Sequence, residues 1–72
     1  MKFKQGDIVM NEEGLMLVVI DTFKLTFSGM VIKSDGYSEV GHISCEWWPD
    51  AFTKTELTTA ICNGKLEIIK LI

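Results

Sequence analysis

Residues 15–23 read Leu-Met-Leu-Val-Val-Ile-Asp-Thr-Phe, a nearly continuous apolar run rich in β-branched side chains. The run is too short for a convincing helix and has no helix cap, so it reads as a strand covered on both faces. In a single small sheet one face would be wet. Apolar groups on both faces therefore call for a sheet curled on itself into a barrel, or for a face covered by another chain.

The length of 72 residues allows one domain, spanning residues 1–72, because a chain this small buries only about 60% of its unfolded surface. Domains of this size need an additional source of stability: disulfides, a metal or self-association. Cys45 and Cys62 are too few for a disulfide scaffold of the secreted kind. Self-association into a homo-oligomer is the expected device, and the 47% hydrophobic content favours it. Residues 1–7 lack the apolar core of a signal peptide, and no apolar run approaches the ~18 residues that span a bilayer, so a cytoplasmic location away from membranes is expected.

Along the chain, residues 6–11 give a short first strand, and Asn11-Glu12-Glu13-Gly14 a polar turn in which Gly14 supplies positive φ. A third strand is expected over residues 27–32, interrupted by Gly29, where a glycine marks a bulge or bend. Asp35-Gly36 is a strong hairpin dipeptide leading into residues 42–49, His-Ile-Ser-Cys-Glu-Trp-Trp-Pro. Alternation there points Ile43, Cys45 and Trp47 to one side and His42, Ser44, Glu46 and Trp48 to the other. Trp47 becomes the largest block of the core, and Trp48 faces outward.

Residues 52–64 admit two readings. Thr53 and Glu56 have capping-box spacing, which allows a short helix ending at Asn63-Gly64. The threonines favour instead a strand through about Leu57 and one helical turn over residues 59–63, the reading adopted here. Residues 65–72 form a last strand. The sum is an all-β chain: a small SH3-like barrel of five to six short antiparallel strands, with one short helical turn near the C-terminus.

Gly6-Asp7-Ile8-Val9, Gly14 before an apolar strand, and Cys45-Glu46-Trp47-Trp48 with Phe52 following resemble the small, uncharacterised YodC-like bacterial proteins. That resemblance implies an SH3-like barrel. Residues 23–27 and 60–64 depart from the family pattern. The opening Gly6-Asp7-Ile8-Val9 with Gly14 is also similar to KOW-type SH3-like modules, which implies binding to RNA or protein. Neither resemblance supplies catalytic residues.

The chemistry readable from the residues is sparse. His42 and Cys45 fall on opposite faces of a strand, which opposes both a shared metal ion and a nucleophile–base pair, and zinc would require further ligands. Glu12-Glu13 and Asp50 with Glu46 read as solvated charges, and no phosphate loop or Ser-His-Asp set accompanies them. No enzyme, metal or cofactor is expected. Ten acidic and seven basic residues leave a net charge of −3 with every base a lysine, which weakens the KOW-type alternative, where Lys2, Lys4, Lys24 and Lys33 would contact phosphate. The surface is what remains: Trp48, Tyr37 and Phe52, with Glu46 and Asp50, could line a groove for a protein or peptide. Alternatively, Trp48 and Phe52 fold over the barrel end. The functional expectation is a non-enzymatic protein-interaction module that self-associates.

Overall fold

The computed structural model describes the backbone of residues 1–62 and 65–70, and the side chains of residues 1–56. Six strands succeed one another: β1 (Asp7–Met10), β2 (Met16–Thr22), β3 (Phe27–Lys33), β4 (Ile43–Trp47), β5 (Thr53–Cys62) and β6 (Lys65–Lys70). A single 3-10 turn, Pro49–Ala51, separates β4 from β5. All strand pairings are antiparallel, in the order β4-β3-β2-β1-β5-β6. The all-β class and the number of strands agree with the sequence reading.

The expected closure of a barrel is not made, because β4 and β6 lie at the two ends of the strand order. The sheet is nevertheless strongly curved. A flat single sheet would be one thin layer, whereas the three extents of this molecule are 30, 28 and 23 Å. Register shifts explain the curvature: they occur at Asp7/Val9, Met16/Leu17, Val19/Asp21 and Phe27/Gly29. Each such bulge bends its strand and adds local twist.

Curvature gathers the inner faces around one core of Phe3, Val9, Leu15, Leu17, Val19, Phe27, Val31 and Phe52, with Trp47 packed against it. Aromatic rings meet edge to face through it. Phe27 lies 5.6 Å from Phe3 and 5.7 Å from Phe52, and Trp47 lies 5.9 Å from Phe52, all near perpendicular, the geometry that aromatic quadrupoles favour. The N-terminal segment that carries Phe3 is held by buried Asp7, whose Oδ2 accepts from the Lys4 amide at 3.0 Å and whose Oδ1 stands 3.5 Å from Lys54 Nζ.

Two expectations about β4 and β5 need correction. The expected helical turn over residues 59–63 is extended up to Cys62, because β5 pairs with β6 through Thr59↔Ile68 to Cys62↔Lys65; Asn63 lies outside the described residues. The helical turn is instead Pro49–Ala51, where proline at its first position fixes φ. In β4, strict alternation fails because three residues of β3 (Phe27 to Gly29) face four of β4 (Ser44 to Trp47), so that Ser28 alone stands opposite both Cys45 and Glu46. Trp47 keeps its inward place, whereas Ile43 and Cys45 are exposed. Cys45 is therefore a surface thiol and not the core residue its side of the strand suggested.

Gly29 is where this packing is tightest. A Cβ there would stand 3.2 Å from Phe27 Cε2, 3.2 Å from the Val18 carbonyl oxygen and 3.4 Å from Trp47 Cδ1. Trp47 lies against the bare backbone and donates its Nε1–H to the Gly29 carbonyl at 3.1 Å. Neither the ladder carbonyl nor the fully buried Phe27 has room to retreat. Gly29→Ala is expected to cost about 1–3 kcal/mol, read as a lower urea midpoint at unchanged m-value; an equal or higher midpoint would show that the contact is loose.

Candidate functional site

Trp48 is the residue on which a surface site can be built. Its backbone is extended, with φ −90° and ψ 123°, and leads into the 3-10 turn. The Ala51 amide donates to the Trp48 carbonyl at 3.2 Å, and the Phe52 amide to the Pro49 carbonyl at 3.1 Å. With Trp47 anchored on one side and Phe52 in the core on the other, the indole of Trp48 leaves a fixed backbone and is 60% exposed.

Its neighbours follow from register. Thr22 faces Phe27 and Phe27 faces Trp47, so the next row outward holds Phe23, Thr26 and Trp48. The Phe23 amide donates to the Thr26 carbonyl at 2.9 Å and closes the turn 23–26, while Thr26 Oγ1 donates to the Cys45 carbonyl at 3.2 Å and ties that turn to β4. Phe23 and Leu25 on this turn are exposed. One end of the sheet thus presents Trp48, Phe23 and Leu25 around a threonine, with Lys24 at the tip. Sequence reasoning passed over Phe23 and Leu25. Their signal was legible: a four-residue connection normally uses small or polar residues, and this one spends two of its four on large apolar side chains.

The five residues expected to form a groove do not come together. Phe52 is buried in the core, edge to face with Phe27 and Trp47. Tyr37 is 93% exposed in the loop 34–42, at the opposite end of β4 from Trp48. Glu46 and Asp50 are exposed at the Trp48 end.

The loop 34–42 is a second, smaller feature. Tyr37, Ser38, Glu39 and His42 line an open depression of about 400 Å³. Asp35 shapes it, its Oδ1 accepting from the amides of Tyr37 at 2.9 Å and Ser38 at 3.0 Å, while Ser34 Oγ accepts from the Gly36 amide at 2.9 Å. His42 leans on Trp47, ring to ring at 6.5 Å. Among the described residues no group of three or more His, Cys, Asp or Glu side chains is gathered as a metal site, and no helix is long and apolar enough to cross a membrane. The lysines named for phosphate contact are dispersed: Lys2 donates to the Phe52 carbonyl at 3.3 Å, Lys24 occupies the 23–26 turn, and Lys33 ends β3 at the other end of the sheet.

The amides of Ser38 and then Tyr37 hold the Asp35 carboxyl below the ordinary aspartate range. A group whose pKa is lowered on folding stabilises the loop above its unfolded value of about 3.9 and loses that contribution as pH falls through the folded value. Carboxyl-detected NMR titration should place the Asp35 midpoint below that of a random-coil aspartate, with the Tyr37 and Ser38 amide shifts moving at the same pH; an ordinary midpoint would mean that the turn is not held this way. Compared with models of protein families, with curated proteins and with solved structures, the chain finds no match in any of the three.

Proposed function

We propose that this chain is a non-enzymatic protein-interaction module that also associates with itself. The observation carrying the reading is Trp48, an indole 60% exposed on a backbone fixed at both ends. An indole can bury ~150–250 Å², so covering the part left open is worth on the order of 2–4 kcal/mol at ~25 cal/mol per Å². Phe23 and Leu25 enlarge the patch, and Thr26 and Lys24 supply polar contacts at its centre and tip. Pre-positioned aromatics of this kind recognise extended peptides at reduced entropic cost, because the surface need not be ordered first. The exposed free thiol of Cys45 suits a reducing compartment such as the cytoplasm. The KOW-type reading gains no support from lysines spread over both ends of the sheet.

Selection from a displayed random-peptide library tests the peptide-binding part. Selected peptides should bind the unaltered protein and lose at least tenfold in affinity to Trp48→Ala, whose thermal midpoint should stay within a few degrees of the parent. Retained binding by Trp48→Ala, or its unfolding, would contradict the assignment of Trp48 to an interaction surface.

A further inference from the structure

The outer face of β2–β4 breaks the rule that the solvent side of an antiparallel sheet is polar. Ile8 faces Val18, Val18 faces Met30 and Met30 faces Ile43, a cross-strand row running over four strands. Exposure climbs along it, from 0% at Ile8 and 5% at Val18 through half-buried Met30 to 57% at Ile43. Met16, Ile20 and Ile32 lie beside the row, half-buried or exposed. The β1 side of this face is covered within the chain, and the β4 side is open.

Charge appears only at the ends of this face. At one end Ser28 lies opposite Asp21, and the bulge in β4 brings Cys45 and Glu46 alongside it. At the other end Met16 lies opposite Lys33. Ser28 and Lys33 are five steps apart on β3, about 17 Å at strand rise. On the strands of this face, Asp21 and Glu46 thus stand at one end of the apolar centre and Lys33 at the other.

We infer that this face packs against the same face of a second copy, with the strands of the two copies running in opposite directions across a two-fold axis. This rests on the self-association proposed above and names its surface. In that arrangement Lys33 of each copy meets Asp21 and Glu46 of the other, and the apolar centres cover each other. The parallel arrangement would set acid against acid. Edge-to-edge joining is disfavoured by the chain itself: β4 is bulged at Cys45-Glu46, and Val31 of β3 faces both Gly41 and His42, accepting from the first and donating to the second. Bulges of this kind blunt an edge.

Sedimentation velocity over a dilution series at low and high salt is the test. The unaltered chain should dimerise at both salt concentrations, since apolar burial survives screening. Ile43→Glu, which sets two acids near the axis, and independently Ile20→Lys, which sets a lysine against the Lys33 end of the other copy, should each raise the dimer dissociation constant about a hundredfold. Lys33→Glu should weaken the dimer several-fold, and adding Asp21→Lys should restore it. A chain that is monomeric at every concentration overturns both this surface and the self-association it rests on. A dimer indifferent to Ile43→Glu and Ile20→Lys overturns the surface alone, and failure of the charge exchange to restore the dimer overturns the opposed orientation.

Discussion

The fold depends on an indole lying against a strand that has no side chain to hold it off. Trp47 rests on Gly29, donates to its carbonyl, and so seals the open side of the aromatic cluster formed by Phe3, Phe27 and Phe52. A small domain has few residues with which to close a core. Here one tryptophan joins β4 to β3, and through Phe52 it joins the start of β5 to both. Gly29 thus gives up the packing a side chain would add in order to admit a much larger group.

Trp48 follows from that contact. Once Trp47 is turned inward, its neighbour on an extended backbone must turn outward, and Pro49 stiffens the chain that carries it. The indole is presented by the core it adjoins and by a proline-stiffened turn. The turn 23–26, secured to β4 by Thr26, adds Phe23 and Leu25 to the same end. The bulges that curve the sheet also decide what is exposed: the extra residue in β4 moves Cys45 out of the core and leaves Ile43 at the open end of an apolar row.

Much of the fold was legible in the sequence because period-two alternation and β-branched runs report strands directly. The strands at 7–10, 16–22, 27–33, 43–47 and 65–70 each carry one of these signals, and the inward Trp47 and outward Trp48 follow from parity. Parity also explains the misplacement of Cys45, since one bulge reverses every assignment beyond it and leaves no mark in composition. The apolar content of β2 on both faces called for two covers, either a closed barrel or a second chain, and the sheet does not close. One cover is the core; the outer one is supplied within the chain over Ile8 and Val18 only. Over residues 53–62 the capping-box spacing of Thr53 and Glu56 competed with the β propensity of the threonines, and cross-strand pairing with β1 and β6 decided for a strand throughout. The site was less legible. Tyr37 and Phe52 are near Trp48 in number, but a hairpin sends Tyr37 to the far end and an aromatic cluster takes Phe52 inside.

The division of labour between the two tryptophans is the central claim, and collisional quenching of their fluorescence tests it most directly. Two folded variants, Trp47→Phe and Trp48→Phe, each leave one indole to observe. With only Trp48 remaining, acrylamide should quench nearly as it quenches free tryptophan amide, with red-shifted emission. With only Trp47 remaining, quenching should be several-fold weaker and the emission blue-shifted. Equal quenching of the two variants would contradict the account, because it would mean that neither indole is set apart as the core group or as the surface group.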